Sequence, residues 1–368
     1  MTAPNELLYQ VALTLLPGVG DISAKKLVAY CGGAEAVFKQ KKQHLMAIPD
    51  IGPITAGLIA GQDVLHRAEE EVAFIEKKNI TPIFYLDSRY PKRLRECEDG
   101  PVLLYTQGNT NFNNQRVLSI VGTRKATEYG TKITEQIVEA LTPTGCLIVS
   151  GLAYGIDITA HKAALQNGLP TVGIVAHGLD MLYPSAHRKY VNKMLDNGGI
   201  ATDFMSGTQP DKMFFPRRNR IIAGLADATL VIEAAEKSGT LITADLAVGY
   251  NRDVMAVPGS VFDEFSIGCN KLIRQNKAAL VTNGDDIIAH MNWEPEGATK
   301  RNVQPRLFVE LTTEEEALVA ILKDNGTTPI DEIGFKAGFP PSKCSSLLFT
   351  LEFKGMVKAL PGKRYELA

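Results

Sequence analysis

The sequence predicts an α/β fold in three parts. A parallel sheet wound with helices is preceded by an all-α module and followed by a small helical module that ends in a β-hairpin. Three observations predict it. Residues 1–80 hold an internal repeat of helix, glycine turn and helix; residues 81–290 alternate short β-branched runs with helical patterns; and residues 293–310 carry no apolar period. A chain of 368 residues has room for two or three domains, and 45% hydrophobic with 22% charged residues is ordinary globular composition. That excludes a disordered, collagen-like or coiled-coil chain.

Other classes fall on equally simple grounds. No run of about 18 apolar residues occurs, and Met1-Thr2-Ala3-Pro4-Asn5-Glu6 lacks the basic and apolar regions of a secretion signal, so no membrane association is expected. The five cysteines are scattered and never spaced Cys-x-x-Cys, which fits a reducing cytoplasm and gives no structural zinc site. A net charge of −2 argues against a protein coated in positive charge, while permitting one focused basic groove.

In the N-terminal module, residues 15–24 align with 47–56 at an offset of 32, matching Pro17 with Pro49, Gly20 with Gly52, Ile22 with Ile54 and Ala24 with Ala56. The glycines supply the turn and the alanines let helices approach closely. The unit resembles a tandem helix-hairpin-helix (SAM-like) module, whose turn amides often bind DNA phosphate; a purely structural module has the same pattern. Eight basic and nine acidic residues over 1–80 give it no strong field.

In the central region the expected strands are 117–121, 146–149, 171–175, 199–202, 229–232 and 253–257. Several end directly in Gly or Ser before a helix, and in an open α/β sheet those carboxyl ends are where ligands bind. The first ends Gly122-Thr123-Arg124, which puts a fork-shaped cation at the sheet edge. It lacks Gly-x-Gly-x-x-Gly, so no bound NAD and no other cofactor is expected. The second ends Ser150-Gly151-Leu152-Ala153-Tyr154-Gly155, whose small residues bare amides at a helix N-terminus. Asp157 is read as that helix's N-cap, and His161 as a hydrogen-bonded helix histidine in preference to an acid–base partner, because no nucleophile accompanies them.

Segment 212–220 packs Lys212, Arg217, Arg218 and Arg220 with no acid among them, beside Phe214, Phe215 and Asn219. Cations neutralise successive phosphates and an exposed ring stacks an unpaired base, so a polyanion is favoured over a single nucleotide. One Phe as core and one Arg as an internal partner remain open. Ser238-Gly239-Thr240 opens another helix with anion-binding amides, and Asn270 and Lys271 are placed facing the same crevice.

After the linker, helices at 312–323, 330–337 and 341–354 and a hairpin of 357–360 with 364–367 make a winged-helix module. Its seven basic and eight acidic groups, with only Lys343 and Lys354 on the recognition helix, make protein docking or a structural role at least as good a reading as DNA contact.

The segments Val121-Gly122-Thr123-Arg124, Ser150 to Asp157, Phe215 to Leu225, Ser238-Gly239-Thr240-Leu241 and Val257-Pro258-Gly259 resemble the DNA-processing protein A (DprA/Smf) family, with Tyr90-Pro91-x-x-Leu94 and Pro101 to Tyr105 matching its lead-in. The resemblance covers the central domain, and the family's optional end modules account for the rest. It implies a Rossmann-like sheet domain at 81–292 between a module at 1–80 and a winged helix at 311–368. It also implies a cytoplasmic, homodimeric, non-enzymatic binder of single-stranded DNA that protects incoming strands and helps load the RecA recombinase. Carried over by motif, Arg124, the turn from Ser150 to Gly155, Phe215, Arg218 and Arg220 line the DNA site. Asn276-Lys277-Ala278 and Ala176-His177-Gly178 depart from the family pattern.

Two competing readings stay open. A phosphoribohydrolase (LOG-like) enzyme would carry Pro-Gly-Gly-x-Gly-Thr-x-x-Glu, whereas Lys237 to Thr243 has no glutamate three after Thr240. An interaction scaffold would make the winged helix its main contact.

Overall fold

The computed structural model describes residues 4–61, 63–293 and 311–368. All of the expected linker except Trp293 lies outside them.

The sheet has nine strands: β1 (Thr81–Phe84), β2 (Leu103–Gly108), β3 (Val117–Val121), β4 (Leu147–Ser150), β5 (Thr171–Ile174), β6 (Gly198–Thr202), β7 (Ala228–Val231), β8 (Asp253–Ala256) and β9 (Ala279–Leu280). Their order is β1-β2-β6-β5-β4-β3-β7-β8-β9. The pairs from β6 through β9 are parallel, whereas β1–β2 and β2–β6 are antiparallel. The chain winds outward from β3 to β6, then returns to β3's other side with β7. That reversal between β3 and β7 is a topological switch point, where open α/β sheets bind ligands.

Strand alternation builds a core on each face. Val117, Val121, Leu147 and Val149 pack with helix Phe214–Leu225, while Leu118, Ile120, Cys146 and Ile148 pack with helices Glu128–Ala140 and Ile156–Gln166. All six expected strands are present within a residue at each end. The sequence reading missed β1, β2 and β9. Proline at position 82 is tolerated on β1 because β1 is the sheet's edge.

The N-terminal module repeats in space as in sequence. Val19 donates to Leu16 and Ala24 to Gly20; Ile51 donates to Ile48 and Ala56 to Gly52, again 32 residues on. The left-handed turn residue is not the matched glycine, however. It is Gly18 (φ 73°) in the first copy and Asp50 (φ 67°) in the second, while Gly20 (φ −87°) caps helix Asp21–Cys31. The two turns also differ in surroundings. At the first, Asp21 accepts from the Val102 amide at 2.8 Å, and Lys25 donates to Glu98 O at 3.0 Å, so this turn is closed against the sheet domain. The second leaves Ile54 80% exposed. The module shares one core with Phe84, Leu103 and Tyr105 of β1 and β2.

The C-terminal module has helices Thr313–Asn325, Ile330–Ala337 and Pro341–Phe353, and a sheet of β10 (Thr328–Pro329), β12 (Arg364–Leu367) and β11 (Val357–Leu360) in that order. A capping box starts its first helix: Glu315 N–H donates to Thr312 Oγ1, and Thr312 N–H to Glu315 Oε2. Both cations of the presumed recognition helix face that first helix, Lys343 on Glu314 (2.6 Å) and Lys354 on Glu315 (2.7 Å). The surface left to solvent carries Phe335, Phe349 and Phe353.

Candidate nucleic-acid interface

The carboxyl ends of β3, β4 and β7 converge on a cleft of about 280 Å³ at the switch point. Its walls are Gly122 and Arg124 after β3, Ala153 and Asp157 after β4, and Ser238, Gly239 and Thr240 after β7. Helix Phe214–Leu225 closes the remaining side with Phe215, Arg218, Asn219 and Ile222. These four lie at i, i+3, i+4 and i+7, one face of a helix.

The cleft has a buried floor and an exposed rim. Arg218, 4% exposed, donates to the carbonyls of Gly151 (2.5 Å) and Ile174. Burial pulls its guanidinium down to about 10, against the raising influence of Asp157. A side chain at Gly151 would put its Cβ 2.5 Å from that guanidinium and push Arg218 off the floor. Gly155 sits at φ 76° beneath the Thr123 carbonyl and caps helix Ile156–Gln166. Arg124, by contrast, is exposed, with its guanidinium 4.6 Å from the Phe215 ring centre. Such a contact is worth about 0.5–1 kcal/mol at an exposed site, little enough for a phosphate to displace. Ser238 precedes helix Gly239–Gly249 without capping it, and its buried Oγ has no partner. The first-turn amides there have no side-chain acceptor, which suits an anion.

Several expected site residues lie elsewhere. Arg220 is 8% exposed and bound to Asp203 (2.6 Å), Asp21 (3.0 Å) and the Asp99 carbonyl, tying the sheet domain to the N-terminal module. Arg217 shares Asp203 at 3.3 Å and covers Phe204. The pair faces away from the cleft because helix positions 217 and 220 lie opposite 215 and 218. Phe214 stacks on Phe204. Ser150 is fully buried, and its hydroxyl donates to Ile120 O at 2.6 Å. Asn270 brackets Gly259, accepting from its N–H and donating to its carbonyl, so it shapes the loop after β8. Asn270 and Lys271 do not line the cleft.

Asp157 is not the N-cap. Gly155 takes that place, and Asp157 lies in the first turn, 7% exposed on the cleft floor, accepting from the Ala153 amide. Burial raises its carboxyl pKa, opposed by Arg218. His161 is fully buried; Nδ1–H donates to Thr171 Oγ1 at 2.7 Å, and burial drives its pKa down to about 3. His177, in one departing segment, donates through Nδ1–H to Gly178 O and accepts from the Tyr183 amide, pinning the loop after β5. Tyr154, inside the expected turn but not singled out in it, and Tyr183, which the sequence reading passed over, are both about half exposed beside Arg124 and Phe215. Glu233, which an enzyme reading would use, is 1% exposed and accepts from the Thr127 amide and hydroxyl at the start of helix Glu128–Ala140.

Comparison with known proteins places the chain by family and fold. Residues 81–292 fit the family model of DNA recombination-mediator protein A, and residues 304–363 that of the DprA winged-helix domain. The chain is 42% identical to DNA processing protein DprA of Streptococcus pneumoniae over 56% of this chain and 73% of that protein. It is 30% identical to Protein Smf of Synechocystis sp. over 99% of both. The X-ray structure of the S. pneumoniae protein superposes with a TM-score of 0.66 at 34% identity, covering 77% of this chain and 97% of that one. A Helicobacter pylori DprA structure, described for its single-stranded DNA binding mode, gives 0.53 at 28% identity over 58% of this chain and 97% of that one. Among the described residues no helix is long and apolar enough to cross a membrane. With one family model spanning the whole sheet domain, a second on the C-terminal module and a relative aligned end to end, the chain belongs to the DNA-processing protein A (DprA/Smf) family.

Proposed function

We propose that this chain binds single-stranded DNA at the carboxyl edge of its sheet. In this reading it is a non-enzymatic, cytoplasmic homodimer that protects incoming or processed strands and helps load the RecA recombinase in transformation and recombination. One observation carries the binding reading: an exposed Arg124 lies over the half-buried Phe215 ring, next to an uncapped helix N-terminus at Ser238–Thr240. A phosphate draws Arg124 and the helix amides to itself, and the bared ring stacks a base. Buried Arg218 holds the floor in shape and adds positive charge. Glu233, spent on Thr127, is missing from the cleft lining, which supports the non-enzymatic reading.

The test is a binding titration of single- against double-stranded DNA over a salt series. Single strands bind tighter with little base preference, and Arg124→Ala weakens all sequences about tenfold. Phe215→Ala costs about 1–3 kcal/mol, the scale of one base–aromatic stack. Wild-type affinity in both variants overturns the site. RecA assembly on strands pre-coated with the protein tests loading, and release of free base from nucleoside monophosphates, abolished by Glu233→Gln, would restore the enzyme reading.

A further inference from the structure

A second groove opens between helices Ile156–Gln166 and Arg188–Met194. At about 470 Å³ it is larger than the cleft, and Lys162, Leu165, Gln166, Leu169, Tyr190 and Lys193 line it. No described function uses it.

Its chemistry is one-sided. Neither 158–169 nor 183–195 contains an acidic residue, while they bring Lys162, Arg188, Lys189 and Lys193 together. Among the described residues none of these four cations forms an ion pair. The Tyr190 ring lies between two of them, with Lys162 Nζ 5.0 Å and Lys189 Nζ 4.8 Å from its centre. An aromatic ring flanked by cations outside any ion pair is the arrangement that holds single-stranded nucleic acid by stacking and phosphate contact together.

The two helices that wall the groove also start beside the rim of the cleft. Tyr154, on the rim beside Arg124 and Phe215, stacks edge-on against His187, ring centres 4.9 Å apart. Tyr154 immediately precedes Gly155, the cap of helix Ile156–Gln166, and His187 is the cap residue of helix Arg188–Met194. Both helices therefore start at this aromatic contact, and the groove runs away from the cleft between them. At 1.5 Å per residue, the stretch from Gly155 to Gln166 is about 16 Å long. That is enough for roughly three to five phosphates, taking a spacing of 3.4 Å per strand or somewhat more.

We propose that a single DNA strand seated in the cleft continues across Tyr154 and His187 into the groove, where Lys162, Lys189 and Lys193 take its phosphates and Tyr190 stacks a base. The proposal rests on the cleft being a single-strand site and extends it to a longer footprint. A duplex hides its base faces and leaves Tyr190 nothing to stack, so the groove adds to the preference for single strands.

The experiment compares oligothymidylates of about 4 and about 16 nucleotides, the range of small single-strand sites, on the full chain by fluorescence anisotropy over a salt series. Lys189→Ala/Lys193→Ala removes two exposed cations whose loss leaves no ion-pair partner behind. The double variant is expected to lose about tenfold in affinity for the long strand. Its log–log salt slope should flatten by about 1.4, at 0.7 per phosphate contact on a single strand, with the short strand unchanged. Tyr190→Leu, which keeps bulk in the groove, is expected to weaken the long strand alone. Wild-type affinity and slope for the long strand in both variants overturn the proposal, as does an equal loss on short and long strands. Failure of the cleft reading looks different: the wild-type protein then binds the short strand no better than Arg124→Ala does.

Discussion

Two basic, aromatic segments border this site, and the fold uses them in opposite ways. Segment 212–220 holds four cations and two phenylalanines; segment 183–193 holds Arg188, Lys189, Lys193 and His187 with Tyr183 and Tyr190. In the first, Arg220 and Arg217 are spent on Asp203, and Arg218 on two carbonyls. In the second, the Arg and Lys side chains stay in solvent beside a ring. A cation in a sequence is available to a ligand only after the fold has taken what it needs. The denser of the two segments is mostly architecture.

The largest effect expected from this contrast is on stability. Arg220→Ala leaves Asp203, 2% exposed, without its main counter-charge, and breaking a buried pair from one side costs about 3–5 kcal/mol. Urea unfolding measures it, and a loss under 1 kcal/mol would put Arg220 back among the available cations. Arg218→Ala is next. It orphans the Gly151 and Ile174 carbonyls at about 1–3 kcal/mol and weakens DNA binding as well, because the cleft floor loses both its brace and a charge.

Much of this was legible before the structure. The strands β3 to β8 are largely buried on both faces, so they read as short apolar runs, several of them closed by Gly or Ser, and Arg124 stands out as the first long polar residue after one of them. Strands β1, β2 and β9 were not legible: β9 is two residues long, and β1 carries a proline that only its edge position excuses. Within 212–220 composition was a poor guide and helical spacing a better one. Phe215, Arg218, Asn219 and Ile222 share the cleft face, and Arg217 and Arg220 the opposite one, which counting by 3.6 residues would have separated. Asp157 was misplaced because its residue type suits an N-cap, but Gly155, at φ 76°, is the cap and the helix starts two residues earlier. The groove cations went unnoticed because a seven-residue helix with two lysines looks like any solvated face.

Acid should separate the segments too. The loop leading into 183–193 hangs on His177 and His187, and burial is the main cause holding both below 6.5. For His177 the Gly178 carbonyl and Asp180 pull upward and Arg218 downward; for His187 the Leu152 carbonyl pulls upward and Lys162 downward. A histidine depressed in the folded state contributes stability that is fully present above its unfolded value, about 6.5, and is lost as pH falls through the folded one. Hydrogen exchange corrected for its intrinsic pH dependence should therefore show amides 177–187 losing protection between pH 7 and 5. Segment 212–220, held by guanidinium groups that stay charged, should keep its protection. Equal behaviour of the two would remove the distinction.

The smallest effect is the most discriminating. Lys189 and Arg188 are exposed, and neither forms an ion pair among the described residues, so Arg188→Ala and Lys189→Ala should each change unfolding free energy by no more than about 0.5 kcal/mol. Against about 3–5 kcal/mol for Arg220→Ala, the ratio separates architecture from ligand-facing charge on one scale. If Lys189→Ala lost more than 1 kcal/mol, the stem of Lys189 against Tyr190 would be packing the helix. The second segment would then serve the fold just like the first. If it loses nothing, that cation is left free by the fold to meet an anion, and the loss of long-strand affinity in Lys189→Ala/Lys193→Ala decides whether it does.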